Sequence, residues 1–253
     1  MAAWVDSHCH VYMLDDPLGA IDRAVGSGID WMVIPGVDLE TSLQARRLAD
    51  QRPDRVLWAA GLHPHDAEHW DDQRSRISAL AADAAAVGEI GLDYYRNLSP
   101  RDEQLRAFRD QMSLAKDLDI PAIIHTRDSF ADVYDVVAEV GIGEKAIMHC
   151  WTGGPRWTKR FRDLGATFSF AGPITYTTGD TVRRGAAEAP PERTLVETDT
   201  PYLSPEPHRG ETNRPEWSIL NGEALADVWG VDVGEVEQIT AGNTVRVFGA
   251  PRG

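Results

Sequence analysis

Trp4-Val5-Asp6-Ser7-His8-Cys9-His10 is a short apolar run that ends in two histidines near the start of the chain. We interpret residues 4–9 as a β-strand. Because side chains alternate between the two faces of a strand, His8 and His10 share one face and Cys9 points the other way. A single His-x-His pair also arises by chance. The pair becomes informative only if similar residues end other strands.

Seven further short apolar segments follow at regular spacing. The eight predicted strands are 4–9, 31–35, 56–61, 85–90, 122–125, 146–149, 167–170 and 194–197. The clearest helical segments between and after them are 101–118, 217–229 and 233–248. In the first of these, Leu105, Phe108 and Met112 recur at helical spacing. Eight strands that alternate with helices predict an α/β fold, a single (β/α)8 TIM barrel. The strand count also fits a doubly wound sheet.

The length and composition favour one domain. The chain has 253 residues, 42% of them hydrophobic, with no linker or internal repeat. This length suits one full barrel better than two smaller domains, so we predict one domain over residues 1–253. No apolar run approaches the ~20 residues that cross a bilayer, and the N-terminus lacks the pattern of a signal peptide. Two cysteines alone suggest a reducing compartment. We therefore expect a cytoplasmic protein that contacts no membrane.

The charge limits the classes of partner. The net charge is −15, whereas a protein that coats duplex DNA is usually basic. This composition still allows an enzyme that holds one strand end. Nothing in the sequence implies an obligate protein partner, and we expect a monomer.

Candidate metal ligands fall at the ends of the predicted strands. In a barrel the active site lies at the carboxyl ends of the strands, and this is where the His, Glu and Asp residues occur. The candidates are His8, His10, Glu89, His125, His149 and Asp199. Glu89 lies in an otherwise apolar strand end, where a buried carboxylate is costly unless it binds a metal or pairs with an arginine.

The ligand types and their number suggest the cofactor. Imidazole and carboxylate ligands without thiolates suit Mg, Mn, Zn or Ni. Six ligands exceed the need of one catalytic cation, so we expect two divalent metal ions that share a bridging ligand. Some related barrels bridge their metals with a modified lysine on strand four. No lysine lies there, which leaves Glu89 as the bridge.

Seven sequence motifs occur together in one order. They are Asp6-Ser7-His8-Cys9-His10, Gly61-Leu62-His63-Pro64-His65, Gly88-Glu89-Ile90-Gly91-Leu92-Asp93-Tyr94, Ile124-His125-Thr126-Arg127, Met148-His149-Cys150-Trp151, Glu197-Thr198-Asp199-Thr200-Pro201-Tyr202-Leu203 and Pro207-His208-Arg209-Gly210. The set resembles the TatD family of metal-dependent, deoxyribonuclease-like hydrolases. The resemblance implies a barrel, divalent metals and hydrolysis of DNA or related phosphoesters. The ligand pattern of the family falls on the same six residues.

Two positions depart from the pattern of that family. It usually has Phe-Ser after the His-Cys of strand six, where this chain has Trp151-Thr152. It usually has lysine after the Arg-Gly of the Pro-rich loop, where this chain has Glu211. The second departure removes a cation and weakens the case for tight DNA binding.

Five residues near the strand ends are candidates for substrate contact. They are His63, Arg127, Trp151, Tyr202 and Glu197. His63 and Arg127 could contact a phosphate, although His63 could also pack in its loop and Arg127 could pair with Glu89 or Glu197. Trp151 and Tyr202 could stack on a nucleobase or simply pack. Glu197 could orient a histidine or a water molecule, or could be buried against an arginine.

These observations lead to one functional hypothesis and two rivals. The first is a metal-dependent hydrolase of phosphodiester bonds, a 3′–5′ exonuclease-like deoxyribonuclease acting on single-stranded or frayed DNA ends. Its catalytic residues would be Asp199 as proton acceptor, Glu89 as bridge and His63 as phosphate contact. The first rival is an amidohydrolase-type enzyme that cuts a small amide, lactone or phosphoester. The second is an inactive barrel that serves as an interaction module.

Overall fold

Eight parallel strands, paired in sequence order, form a single sheet in the computed structural model, which describes residues 4–252. The strands are β1 (Trp4–Asp6), β2 (Ile29–Pro35), β3 (Val56–Ala60), β4 (Ala86–Asp93), β5 (Ala122–Arg127), β6 (Ala146–Met148), β7 (Thr167–Phe170) and β8 (Thr194–Val196). The helices are α1 (Pro17–Gly26), α2 (Leu39–Gln51), α3 (Trp70–Ala81), α4 (Arg101–Leu118), α5 (Phe130–Val140), α6 (Pro155–Asp163), α7 (Asp180–Ala186), α8 (Ser218–Trp229) and α9 (Val233–Phe248).

A hydrogen bond from the residue after β1 to the last residue of β8 joins the two edges of the sheet. The backbone N–H of Ser7 donates to the carbonyl of Val196 at 3.1 Å. Beyond the strand ends, the N–H of Asp199 donates to the carbonyl of His8 at 2.9 Å. The fold is therefore the predicted (β/α)8 TIM barrel, and the doubly wound alternative is wrong. The contact between the two edges of the sheet thus continues beyond the strands, into the segments that carry His8 and Asp199.

Alternate strand residues fill the interior of the barrel. The cluster comprises Val5, Trp31, Val33, Ala59, Ala86, Ile123, Ile147, Leu195 and, from α9, Phe248. Because side chains alternate along a strand, the residue two positions after an inward residue also points inward. His125 thus follows Ile123, and His149 follows Ile147. The apolar interior forms a floor beneath the polar residues at the carboxyl ends of the strands.

Local signals explain where the helices begin and end. In α2, the Asp38 carboxylate accepts from the backbone N–H of Thr41 and the Thr41 hydroxyl accepts from the Asp38 backbone, which is a capping box. Helix α4 has Asp102 and Glu103 in its first turn, where their negative charges interact favourably with the positive end of the helix dipole and stabilise the helix. It ends at Asp119, which adopts a left-handed conformation. Helices α4 and α9 have the predicted bounds.

Several predicted strand ends differ from those observed. Strand β1 ends at Asp6 rather than at residue 9, and β8 ends at Val196 rather than at residue 197. Strand β4 instead continues past residue 90, because its register with β5 extends as far as the pair of Asp93 and Arg127. Both cysteines are free within residues 4–252. None of the helices described is long and apolar enough to cross a membrane.

Candidate metal centre

Glu89 lies at the centre of the mouth of the barrel, and its two carboxylate oxygens face different histidines. Oε2 is 3.3 Å from Nε2 of His10 and 3.5 Å from Nε2 of His8. Oε1 is 2.9 Å from Nε2 of His149 and 3.1 Å from Nδ1 of His125. The carboxylate therefore lies between two groups of imidazole nitrogens.

The first group contains His8, His10 and Asp199. The two Nε2 atoms are 3.1 Å apart, and Asp199 Oδ1 lies 3.7 Å from His8 and 3.5 Å from His10. Ligand atoms that share one tetrahedral cation at about 2.1 Å are separated by roughly 3.4 Å. The spacing of these nitrogen and oxygen atoms therefore fits a bound divalent cation.

The second group contains His125 and His149, with the other oxygen of Glu89. His125 Nδ1 lies 3.5 Å from Nε2 of His149. With Glu89 Oε1 at 2.9 Å from His149 and 3.1 Å from His125, this second set of atoms is also compatible with a cation. A convergence of lone pairs is unfavourable without a positive charge at its centre, so the chemistry of this donor set also fits a metal.

The remaining ring nitrogens of three histidines contact polar groups behind the centre. His125 Nε2 lies 3.3 Å from Asp93 Oδ2, and His149 Nδ1 lies 3.3 Å from Glu197 Oε1. His10 Nδ1 lies 2.8 Å from the hydroxyl of Tyr12. Partners of this kind fix the tautomer and the ring orientation of metal-binding histidines. Each of these three imidazoles is thus held with one nitrogen aimed toward Glu89.

His8 is held differently. Its ring stacks on His149 with centroids 3.9 Å apart and planes 9° apart. Its buried Nδ1 has no hydrogen-bond partner within residues 4–252. Packing, rather than a hydrogen bond, therefore orients this ring.

The electrostatics of the centre keep Glu89 ionised. Burial alone would raise its pKa, but the charges of His149 and His63 and the hydrogen bonds from His10 and His125 outweigh burial and hold the pKa of Glu89 well below its usual value. The pKa of Asp199 is also lowered; burial opposes this shift, while the hydrogen bond from His10 and the charges of nearby histidines drive it. Both groups are anionic at neutral pH and are suited to bind cations.

The backbone bends sharply where two of the candidate ligands lie. Asp199 has a φ of +60°, and Cys150, directly after His149, has a φ of +43°. Residues other than glycine adopt this left-handed conformation infrequently, and it is enriched at functional sites. The bend at Asp199 aims its carboxylate at His8 and His10. Gly91, with a φ of +132°, is also required, because a Cβ there would lie 2.0 Å from the carbonyl oxygen of His125.

His63 lies beside the candidate ligands, and its hydrogen bonds set its tautomer. Its Nδ1 accepts a hydrogen bond from the backbone N–H of His65 at 3.2 Å. In the neutral ring the proton must then reside on Nε2, which lies 3.4 Å from Glu89 Oε1. Burial is the main cause that lowers the pKa of His63 to about 4. His63 therefore presents an N–H donor to the centre and no free nitrogen lone pair.

Glu197 and Trp151, both candidates for substrate contact, are buried. Glu197 is fully buried, and its carboxylate accepts from the backbone N–H of Cys150 and from the hydroxyl of Ser169 as well as facing His149. It therefore orients a histidine, as one of the roles considered for it required, and within residues 4–252 it pairs with no arginine.

Trp151 cannot stack on a nucleobase, because it is only 1% exposed. Its indole N–H donates to the Thr158 hydroxyl at 2.8 Å, and its ring contacts Phe130, Phe161 and Phe168 with centroids 5.3–5.4 Å apart. The indole thus packs among other aromatic rings between the strands and the helices. The alternative that this aromatic simply packs is the one observed.

Of the remaining three candidates for substrate contact, Tyr202 and Arg127 are exposed. Tyr202 is 54% exposed, and its hydroxyl lies 3.5 Å from the sulfur of Met13. Arg127 is exposed at the end of β5 and pairs with neither Glu89 nor Glu197; its guanidinium instead lies 3.9 Å from the ring centroid of Tyr95. Both side chains remain available to a ligand at the mouth of the barrel.

Asp93, which was not among the predicted site residues, contacts two histidines. In addition to His125, its Oδ2 lies 2.9 Å from Nε2 of His65. The sequence could have indicated this role. Asp93 lies four positions after Glu89 on the same strand, so its side chain points to the same face as that of Glu89. Tyr12, behind His10, follows the strand and gave no such signal.

Comparison with known proteins identifies the family. The family described as TatD related DNase matches residues 5–249. The uncharacterized metal-dependent hydrolase YabD of Bacillus subtilis is 34% identical over 96% of this chain and 98% of its own. The 3′-5′ ssDNA/RNA exonuclease TatD of a Rahnella strain is 33% identical over 79% of this chain and 77% of its own.

A solved structure agrees with these sequence matches. The crystal structure of YJJV, a TatD homolog from Escherichia coli K12, superposes with a TM-score of 0.93 and 27% identity and covers 99% of both chains. Metal dependence, the barrel and the convergent His, Glu and Asp side chains point to one kind of enzyme. This chain belongs to the family of TatD-related DNases and is a metal-dependent hydrolase that acts on ester bonds.

Proposed function

We propose that this enzyme hydrolyses phosphodiester bonds and removes nucleotides from the 3′ end of single-stranded DNA, with two divalent cations that share Glu89. One observation carries the proposal: the two oxygens of Glu89 face two separate groups of ligand atoms, at 3.3 Å from His10 and 2.9 Å from His149. A carboxylate placed in this way suits a bridge between two cations, which is a common arrangement in enzymes that cleave phosphodiesters.

The two groups define which residues would hold each cation. His8, His10 and Asp199 would hold one with Oε2 of Glu89. His125 and His149 would hold the other with Oε1. When bound, cations such as Mg, Mn, Zn or Ni supply Lewis acidity, which promotes deprotonation of a water molecule and offsets negative charge on the phosphate.

Asp199 is suited to accept the proton of the attacking water. Its Oδ1 faces His8 and His10, which leaves Oδ2 free to act as general base. Its side chain is 14% exposed, compared with 4% for Glu89, so it lies nearer the entrance. The bend at this residue places the carboxylate over the centre, where a substrate would arrive.

His63 and Arg127 are suited to bind the phosphate. The Nε2–H of His63 points into the centre and can donate a hydrogen bond to a phosphate oxygen as negative charge builds up there. Arg127 provides a guanidinium at the rim, on the strand that also carries His125. We assign both residues to charge stabilisation rather than to metal binding.

Two observations support nucleic acid as the substrate. The Rahnella relative is named an exonuclease of single-stranded DNA and RNA. Tyr202 is exposed at the mouth, where a base can stack on it. With a net charge of −15, the enzyme is better suited to a strand end, which presents few phosphates, than to a long duplex.

The test is hydrolysis of 5′-labelled single-stranded DNA with Mg, Mn and Zn in turn, with products resolved by length. We expect a ladder that shortens one nucleotide at a time from the 3′ end and depends on added metal. A closed single-stranded circle of the same sequence should resist cleavage. Cleavage of the circle would contradict exonuclease action, and hydrolysis of lactones or amides without any cleavage of phosphodiesters would favour the amidohydrolase alternative.

A contaminating nuclease must be excluded in this experiment. Asp199→Asn and Glu89→Gln, purified in the same way, provide the control because each keeps the size of the side chain while removing a charge. We expect both variants to lose the ladder. A ladder of equal strength from either variant would mean that the activity belongs to another protein.

A further inference from the structure

The large exposed apolar side chains in residues 4–252 are unevenly distributed. Two lie on α9, and the others lie in segments that follow the carboxyl ends of strands. Those at the strand ends are Met13 after β1, Tyr95 and Leu98 after β4, and Tyr202 and Leu203 after β8. Exposed apolar side chains that cluster around an active site commonly serve to bind a ligand.

These side chains occupy two opposite sides of the mouth. The strands pair in the order β1 to β8, so β4 and β8 lie across the barrel from each other. Tyr95 follows β4, whereas Tyr202 follows β8 and contacts Met13 at 3.5 Å. Glu89 and its histidines lie between the two tyrosines.

Hydrogen bonds fix Tyr95 to the rim beside the candidate metal centre. Its backbone N–H donates to Asp93 Oδ1 at 3.0 Å, and the other oxygen of Asp93 faces His125 and His65. Although fixed in this way, Tyr95 is 62% exposed. The backbone of Tyr95 is therefore held by the residue that also supports a candidate metal ligand.

Arg127 covers one face of the Tyr95 ring, with its guanidinium carbon 3.9 Å from the ring centroid. Arg127 is exposed, and its guanidinium lies over the ring rather than in an ion pair with a carboxylate of residues 4–252. The preceding tyrosine contrasts with this arrangement: the hydroxyl of Tyr94 donates to Asp132 at 2.6 Å, and Arg101 lies over its ring. Of these two neighbouring tyrosines, Tyr95 is the one whose ring is exposed.

We propose that Tyr95 and Arg127 form a nucleotide-binding platform opposite Tyr202, so that the substrate strand crosses the mouth with one base on each side of the scissile phosphate. One base stacks on Tyr95 while Arg127 binds the adjoining phosphate, and the other base stacks on Tyr202. This inference rests on the proposed nuclease function. It adds that the enzyme binds the bases of both nucleotides that the scissile bond joins.

The test combines protein variants with abasic oligonucleotides. The substrates are a short single-stranded DNA and two versions that lack the base of either the last or the penultimate nucleotide. We expect Tyr95→Ala to raise the KM of the intact strand by roughly 5- to 100-fold, the range for loss of one stacked base. For the wild-type enzyme, removing the base that stacks on Tyr95 should raise the KM by a similar factor. For Tyr95→Ala, removing that same base should change the KM little, because the stacking contact is already lost. Tyr202→Ala should behave in the same way toward removal of the other base.

Arg160→Gln is the matched control for Arg127→Gln. Arg160 also lies over a tyrosine, 4.1 Å from the ring centroid of Tyr134, but in the outer layer of helices. We expect Arg127→Gln to raise the KM for the strand, and Arg160→Gln to leave it unchanged. Equal effects of the two variants would contradict a role of Arg127 at the mouth.

The outcomes separate this inference from the proposed function. Suppose that the wild-type enzyme cleaves the strand, but that the effects of Tyr95→Ala and of base removal on KM add at both positions. The platform is then wrong and the nuclease function stands. The same holds if Tyr95→Ala and Tyr202→Ala are both non-additive with removal of the same base. If the wild-type enzyme hydrolyses methyl p-nitrophenyl phosphate but no strand, the nuclease function fails and the platform with it.

Discussion

The carboxylate of Glu197 lies directly behind His149, with Oε1 3.3 Å from Nδ1 of the ring. This contact sets which nitrogen of His149 faces Glu89. Glu197→Gln keeps the size of the side chain but removes its charge, so we expect metal affinity to fall by about 10- to 100-fold, as is typical for such partners. Titration with Zn or Mn, followed by calorimetry, measures the change.

Glu192→Gln is the control for Glu197→Gln. Glu192 is exposed and lies just before the amino end of β8, so it lies at the end of the barrel away from the mouth. It should bind metal like the wild-type protein. If Glu197→Gln binds metal as tightly as this control, the contact with His149 has no role in the centre.

The tautomer of His63 gives a second prediction. With its proton on Nε2, His63 can donate a hydrogen bond to the substrate but cannot bind a metal ion through that nitrogen. We expect His63→Phe, which removes the N–H donor, to lower kcat by about 10²- to 10³-fold, the usual cost of losing one donor to a developing negative charge. The metal content should stay at the wild-type value, since Nδ1 is already bonded to the backbone of His65. Kinetics and metal analysis on the same sample give both values. Loss of a metal ion from this variant would show that His63 is a ligand.

Two of the candidate ligands follow a simple physical rule that the sequence reveals. His125 and His149 each lie two residues after an inward apolar residue, and in a barrel all such positions meet at one end. Asp93 lies four positions after Glu89 on β4 and could have been found from the alternation of side chains along that strand. The approach of Asp199 to His8 could not, because it depends on a left-handed residue beyond the strand.

Burial was the property that the sequence predicted least well. Trp151 follows a strand end and looked accessible, but the aromatic side chains of α5 and α6 cover it. Tyr94 and Tyr95 are adjacent and chemically identical, yet only Tyr95 is exposed. These differences arise from packing between elements that are distant in sequence, which local patterns do not encode.

The burial of Trp151 leads to a prediction about stability. We expect Trp151→Ala to lower the free energy of unfolding by about 3–5 kcal/mol, the usual cost of removing a large buried aromatic side chain. Thr158→Val, which removes the acceptor of the indole N–H, should cost about 1–3 kcal/mol. Urea unfolding measures both changes. A stable Trp151→Ala protein with a raised KM for DNA would instead support the original stacking hypothesis.

Salt dependence tests how the strand is held. Glu211 replaces the cation that the family usually has, and the net charge is −15. Few phosphates can therefore be neutralised by side chains, and each such contact to single-stranded DNA contributes about 0.7 to the slope of log K against log salt. We expect a slope equivalent to roughly one to three contacts. Fluorescence anisotropy of a labelled strand across a salt series measures it, and a steep slope would require an extended basic surface.

The central claim is that Glu89 bridges two cations, and the most direct test is the number of metal ions bound per chain. Equilibrium dialysis against Zn or Mn, followed by elemental analysis, should give about two ions for the wild-type protein. Glu89→Gln should retain at most one, and its circular dichroism spectrum should show a folded barrel. One ion in the wild-type protein, or two ions and near-normal hydrolysis in Glu89→Gln, would contradict the bridge.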